Sequence, residues 1–310
     1  MSVLQGGVLS LLQDRGRRGM HRLGLSVGGP LDGEAFHCGN RLLGNAPDST
    51  AIEISVGGLE LRAEVDTFVC LTGAAMPLSI AGRDCDGWSV HPVGAGERIE
   101  VGFARRGCRA YLVVAGGFCI PRSFGSSATV VREGVGGLDG GALQPGDLLP
   151  CAATEKRRRL YLPPQYRPRY QNMATLRVIP GYQQRYFGRI EQRRFFGAPY
   201  TVTDRCDRMG YRLDGPAVSC DLDGMLSEGI CHGAVQIPPD GQPIVLLNDR
   251  QTIGGYPKIG AALSLDTARL AQLTPGATVH FAPITPHSAR RALLLAQRFG
   301  LERHLTEARG

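Results

Sequence analysis

Gly233-Ala234-Val235-Gln236-Ile237-Pro238-Pro239-Asp240-Gly241-Gln242-Pro243-Ile244-Val245-Leu246-Leu247-Asn248-Asp249-Arg250-Gln251-Thr252-Ile253-Gly254-Gly255-Tyr256-Pro257-Lys258 is the stretch that decides how the chain is read. Pro239-Asp240-Gly241 carries tight-turn chemistry, because proline presets φ and glycine accepts a positive one. The apolar run Ile244-Val245-Leu246-Leu247 behind it suits a strand buried on both faces. That strand opens into a polar, glycine-flexible loop, and polar groups at a strand end are where small-ligand sites form. Asp249, Gln251 and Thr252 offer acceptors and donors for an amide or urea-like group. Gly254-Gly255 lets backbone approach closely, and Lys258 or Arg250 is placed to meet a carboxylate or a carbonyl oxygen. The same loop also reads as one that only turns the chain and caps its own backbone groups.

Working outward, strand signals recur at short intervals. Leu59-Glu60-Leu61-Arg62-Ala63-Glu64-Val65 and Ile99-Glu100-Val101-Gly102-Phe103 alternate with period two, and Tyr111-Leu112-Val113-Val114-Ala115 is continuously apolar. Helices are few. Asp32 caps one running to Leu43, Asp266 another running to Leu273, and Thr285-Pro286 opens a third carrying Ala289, Ala292, Leu293, Ala296 and Phe299 on one stripe. Leu143-Gln144-Pro145-Gly146 and Leu273-Thr274-Pro275-Gly276 repeat one scheme, with Pro-Gly at the centre of a type II turn. The echo suggests two similar β halves, at residues 1–155 and 175–310, joined by a basic, proline-bearing linker at 156–174.

The chain has 310 residues, enough for two domains with real cores. Its 43 glycines and 20 prolines make up about a fifth of it, which suits frequent turning, while 43% hydrophobic residues excludes wholesale disorder. The net charge of +7 raises the question of nucleic acid, but only Lys156-Arg157-Arg158-Arg159 forms a basic run, and no recognition motif accompanies it. Nine cysteines at irregular spacing, with no C-x-x-C, indicate neither a disulfide framework nor a zinc site and read as scattered small core residues. No signal peptide and no long apolar run appears, so a cytoplasmic protein is expected, with no membrane and no nucleic-acid partner. Walker, dinucleotide and nucleophile-elbow motifs are absent, so no cofactor is expected to bind this chain by itself and no metal ligand set is assigned.

Two further constellations carry candidate residues. In Asp207-Arg208-Met209-Gly210-Tyr211-Arg212-Leu213, alternation puts Arg208 and Arg212 on one side, either to clamp an anion or to pair with Asp207 and Asp214. Near the start, Gln13-Asp14-Arg15-Gly16-Arg17 leads to Gly28-Gly29-Pro30-Leu31-Asp32, with Asn40, Asn45 and Glu53 downstream. Asp32 reads as a helix cap, and Asn45 suits a left-handed turn after Gly44. Gln13, Asp14, Arg17, Asp32, Asn40, Asn45 and Glu53 thus make a possible second site or interface. Ser126-Ser127-Ala128-Thr129 is hydroxyl-rich but has no histidine near it in sequence.

Together these stretches resemble the biotin-dependent carboxyltransferase family, which includes allophanate hydrolase subunit 2, the Kip-type antagonist and the C-type subunit of 5-oxoprolinase, the last being the nearest branch. The residues that carry the resemblance are Gln13-Asp14-x-Gly16-Arg17, Gly29-Pro30-Leu31-Asp32, Leu71-Thr72-Gly73-Ala74, Ala115-Gly116-Gly117, Arg208-Met209-Gly210-Tyr211-Arg212-Leu213 and, above all, residues 236–258. The family's Gly-Ser-x-Ser-Thr-Asp appears here as Gly125-Ser126-Ser127-Ala128-Thr129-Val130, and Ile253 stands where a second threonine is usual.

The resemblance implies a mainly β chain of two cyclophilin-like β-barrel domains with a few short helices. It implies one component of an ATP-dependent 5-oxoprolinase complex, acting on a small amide or lactam together with a Kip-inhibitor-like B-type partner and a lactam-utilisation A-type partner. ATP would be used elsewhere in the complex. The alternatives are carboxyl transfer to urea with carboxybiotin, or a non-catalytic antagonist of a kinase inhibitor. The candidate substrate-binding set is Gln236, Asp249, Arg250, Gln251, Thr252, Gly254, Gly255, Tyr256, Lys258, Arg208, Tyr211 and Arg212; no catalytic residue is assigned.

Overall fold

Frequent glycines and period-two runs become short strands. The computed structural model describes residues 1–155, 157–222, 224–300 and 304–308, so Lys156 of the basic run lies outside the described residues. The chain divides into two compact units. One comprises residues 1–18 and 28–170 with the described part of 300–310, and the other comprises residues 19–27 and 171–299.

The first unit is built from β1 (Ser2–Gly6), β2 (Leu9–Gln13), α1 (Gly33–Leu42), β3 (Ala51–Ser55), β4 (Leu59–Arg62), β5 (Thr67–Ala75), β6 (Leu78–Ile80), β7 (Arg83–Cys85), β8 (Val90–Val93), β9 (Arg98–Val101), β10 (Arg106–Val114) and β11 (Leu160–Tyr161). These form two five-stranded sheets, β1-β4-β9-β6-β7 and β2-β3-β10-β5-β8. Leu59 and Leu61 of one sheet and Ile52, Ile54 and Leu112 of the other, all fully buried, belong to one apolar core. Alternation explains this, since residues two apart on a strand share a face. Helix α1 packs on β5 and β10. Its cap is Asp32, whose Oδ1 accepts from the Ala35 amide at 3.1 Å, as the sequence led us to expect. Within the proline-bearing stretch, Leu162 is fully buried in the core beside α1.

The second unit contains β12 (Met173–Pro180), α2 (Arg189–Gly197), β13 (Tyr200–Cys206), β14 (Gly210–Asp214), β15 (Glu228–Gly229), β16 (Ala234–Gln236), β17 (Ile244–Leu246), β18 (Ile253–Gly254), β19 (Lys258–Ala262), α3 (Ser264–Leu270), β20 (Thr278–Pro283) and α4 (Pro286–Arg298). Seven of these strands close a barrel in the order β12-β19-β16-β17-β14-β13-β20, and β15 and β18 form a separate two-stranded ribbon. A last strand, β21 (Thr306–Glu307), belongs to the first unit, where it pairs with β11. The chain is mainly β, as expected.

Three local readings differ from the structure. Helix α3 starts at Ser264 and ends at Leu270, so Asp266 lies inside its first turn. Its carboxylate accepts from Arg177 Nε and Nη2, both at 2.7 Å, which occupies the oxygens a cap would have used. Gly44 itself takes the left-handed conformation, at φ 63°, while Asn45 keeps a negative φ and uses its side chain to join Asn40, Val114 and Gly116. Of the nine cysteines Cys38 and Cys70 are buried, Cys85 and Cys151 pack against the core from partly buried positions, and Cys119 and Cys231 are exposed, so core filling describes only some of them. Both Pro-Gly turns form, with Gly146 at φ 96° and Gly276 at φ 86°, as type II geometry requires.

Candidate functional site

The deciding stretch folds as a hairpin. β16 and β17 pair antiparallel with Val235 opposite Val245 and Gln236 opposite Ile244, and the Gly241 amide donates to the Pro238 carbonyl in the turn. Register then sorts the side chains across four neighbouring strands. Tyr211, Val245 and Val235 stand in one row, each 1% exposed or less. Arg212, Ile244 and Gln236 stand in the adjacent row and face the other side of the sheet, and Lys258 pairs with Gln236 at an irregularity in the β16–β19 register. Three of the candidates, far apart in sequence, are thereby brought to one row of paired positions.

Gln236 is 2% exposed, and its Nε2 has no hydrogen-bond partner. Burying an amide donor in this state costs free energy, which sets this carboxamide apart from the other buried glutamines of the unit. Gly254 borders it: a Cβ there would lie 3.0 Å from both Gln236 Nε2 and Gln251 Nε2, and 2.4 Å from Ile230 Cδ1. Two carboxamides therefore converge on one glycine of the ribbon. Beside them the Lys258 ammonium contacts Glu228, and the Lys258 backbone amide donates to Gln183 Oε1 at 2.7 Å. Gln183, 3% exposed, sends its Nε2 to Glu228 Oε1 at 2.8 Å and to the Tyr182 hydroxyl at 3.0 Å. Tyr182 also contacts Glu228. Lys258 foremost, then Tyr182, hold the Glu228 carboxyl below its ordinary range.

Most of the remaining candidates in this unit have partners within the protein. Arg208 and Asp249 pair with each other through two short bonds, so both Asp249 oxygens face a guanidinium. Arg212 pairs with Asp240, and Asp207 accepts from the Met209 and Gly210 amides. Tyr211 is a core residue whose hydroxyl donates to the Ala271 and Leu273 carbonyls, both at 3.3 Å. Arg250, 5% exposed, reaches the Ile230 and Leu247 carbonyls and His21, and Ser26 donates to its backbone carbonyl at 2.8 Å. Burial and the Arg250 cation push the neighbouring His232 down to about 4, against the opposing effect of a hydrogen bond to the Asn248 side chain. Thr252 gives its backbone carbonyl to the Ile230 amide, and Gly255 and Tyr256 are exposed at the edge of the ribbon.

The candidates of the first unit, buried except for the half-buried Asn45, fall into small hydrogen-bonded groups. Asp14 accepts from the Ser126 hydroxyl at 2.5 Å and from the Gly16 and Ser127 amides, each at 2.9 Å. Gln13 bridges the Thr129 carbonyl and the Gly29 amide, and Arg17 reaches the Ser123 and Ala128 carbonyls. Glu53 accepts from Tyr111 and the Leu31 amide, and Asp32 accepts from Tyr170 at 2.8 Å. Asn40 donates to the Ser49 carbonyl and accepts from Asn45. All seven side chains have protein partners, and their bonds fasten loops to the sheets.

Sequence reading missed Tyr182, Gln183 and Glu228. Gln183 follows the strand end at Pro180-Gly181, a position of the same kind as the loop after Leu247, and that was the available signal. The Glu228–Lys258 pair spans 30 residues and left none.

Residues 23–283 match the family described as the carboxyltransferase domain, subdomain A and B. The chain is 36% identical over 301 residues to the C subunit of 5-oxoprolinase from Escherichia coli (strain K12), covering 96% of each chain. It is 35% identical over 282 residues to the C subunit of the Haemophilus influenzae 5-oxoprolinase, covering 90% of each. Among solved structures, the K. lactis urea amidolyase aligns with a TM-score of 0.89 at 25% identity over 99% of this chain, which spans 20% of that protein. With the match running through both units and the whole of the hairpin, the chain belongs to the carboxyltransferase-domain family.

Proposed function

We propose that the chain is the C-type subunit of a 5-oxoprolinase and that its substrate site is the Gln236–Gln251–Lys258 group bordered by Gly254. The unpartnered, buried Gln236 amide carries this reading. A lactam is a planar amide whose carbonyl oxygen must be polarised before its ring opens. An N–H donor fixed in advance in a dry place does this more effectively than water, because it needs no reorganisation. Lys258 lies across the ladder from Gln236 and supplies the cation. Ring opening needs ATP, for which this chain has no phosphate-cradling loop. We assign ATP to a lactam-utilisation A-type partner and completion of the site to a Kip-inhibitor-like B-type partner, so the isolated chain is inactive and does not bind ATP tightly. The likeness to the K. lactis urea amidolyase supports a second reading, carboxyl transfer from carboxybiotin to urea, which presents the same planar carbonyl.

One experiment separates the two readings: the chain is reconstituted with the A-type and B-type homologues and assayed for ATP-dependent loss of 5-oxoproline, and in parallel, with carboxybiotin supplied as donor, for carboxylation of urea. The first is expected to proceed, and Gln236→Leu is expected to lower its kcat/KM about 100-fold. Urea carboxylation without 5-oxoproline loss would replace the reading.

A further inference from the structure

Glu228 sits on the ribbon directly opposite Gly254, the glycine on which the two carboxamides converge. Its carboxylate receives Lys258 Nζ, the Tyr182 hydroxyl and Gln183 Nε2. Lys258 is thus held at both ends, its main chain by Gln183 and its ammonium by Glu228. A lysine left alone swings on a flexible four-carbon stem. Here the side chain is 12% exposed, and the carboxylate that fixes it is 33% exposed. The two-residue ribbon is tied to barrel strand β19 by that carboxylate.

We propose that Glu228 is a positioning residue, which holds the Lys258 ammonium beside the Gln236 carboxamide so that it donates to a substrate carbonyl oxygen and does not act as a free amine nucleophile. The inference rests on reading Gln236, Gln251 and Lys258 as the substrate site. It adds three residues, Glu228, Tyr182 and Gln183, as the shell that makes Lys258 a fixed cation. The Lys258 ammonium, and after it the Tyr182 hydroxyl, hold the Glu228 carboxyl below its ordinary range, in keeping with this geometry.

The sequence supplies a clean probe, because Lys156 and Lys258 are its only lysines. Acetylation by an N-hydroxysuccinimide ester, followed by peptide mass spectrometry, gives the rate at Lys258 relative to Lys156 within the same molecule. Glu228→Gln is expected to raise that ratio about tenfold, since the amine is no longer tied to a carboxylate, and Glu228→Asp to fall between it and the unaltered chain. In the reconstituted complex Glu228→Gln should lower kcat/KM for 5-oxoproline about tenfold, with Glu228→Asp recovering most of the loss. An unchanged acetylation ratio overturns the proposal, as does a raised ratio with unchanged kcat/KM in an active complex. If the unaltered complex leaves 5-oxoproline untouched, the substrate reading falls, and the acetylation ratio still decides whether Glu228 holds Lys258.

Discussion

Arg208 and Asp249 form a two-pronged ion pair, Nε to Oδ2 at 2.8 Å and Nη2 to Oδ1 at 2.9 Å, with side chains only 6% and 7% exposed. The Asp249 amide also donates to the Arg208 carbonyl at 3.0 Å, so the turn before β14 and the loop after β17 are fastened by main chain and side chain together. This fastening sets where the loop leaves the barrel, and hence where Gln251 and Gly254 arrive. Asp249 therefore acts on the site through Arg208, with its oxygens already occupied.

Asp249→Ala is accordingly expected to destabilise the chain by about 3–5 kcal/mol, because it takes a two-pronged carboxylate away from a buried guanidinium. Urea denaturation of the variant measures this. Replacing both partners, as Arg208→Met with Asp249→Leu, should recover most of the loss. A single variant as stable as the unaltered chain, with activity abolished, would instead make Asp249 a substrate ligand.

The hairpin shows how much the sequence could reveal. Turn chemistry at Pro239-Asp240-Gly241 and the apolar run after it were enough to place β17 and the loop beyond, since both depend on neighbouring residues alone. Partner choice depends on distant ones. Arg208 has Asp207 beside it in sequence, yet pairs with Asp249, because Asp207 is used by two backbone amides of its own turn. Gln236 is a candidate from the family resemblance, but its place opposite Lys258 depends on the register, and Glu228 is legible only in the folded ribbon.

Tyr170→Phe tests one of the hydrogen-bonded groups of the first unit. The Tyr170 hydroxyl donates to Asp32 Oδ2 at 2.8 Å, while Oδ1 caps α1, so the variant removes one bond to a carboxylate and spares the cap. A loss of about 1.5–3 kcal/mol is expected, with activity of the complex unchanged well below the melting temperature. Reduced activity at unchanged stability would turn this group into a functional site.

His232 gives the chain a dependence on acid. Burial, then the Arg250 cation, lowers its folded value from 6.5 to about 4. Between those values the unfolded chain binds the extra proton, so stability is full above pH 6.5 and is lost as pH falls toward 4, by about 2–3 kcal/mol. Urea melts at pH 7 and pH 4.5 should show that much less acid loss in His232→Gln than in the unaltered chain. Carboxylates titrating over the same range cancel in the comparison, and equal losses in the two proteins would contradict the prediction.

Gly254→Ala separates packing from substrate contact. The new methyl would stand 2.4 Å from Ile230 Cδ1 and 3.0 Å from the Nε2 atoms of Gln236 and Gln251. Gly254 is not among the glycines with positive φ, so its backbone accepts alanine and the conflict is one of space alone. Overpacking of this kind costs about 1–3 kcal/mol. Adding Ile230→Val removes the Cδ1 atom and should restore most of that stability. It does nothing for the carboxamides, which the methyl still displaces, so the double variant should melt near the unaltered chain while its complex remains about tenfold or more below normal kcat/KM. Recovery of stability and activity together would mean that Gly254 serves only the packing of Ile230, and that the two glutamines do not need their present spacing to work.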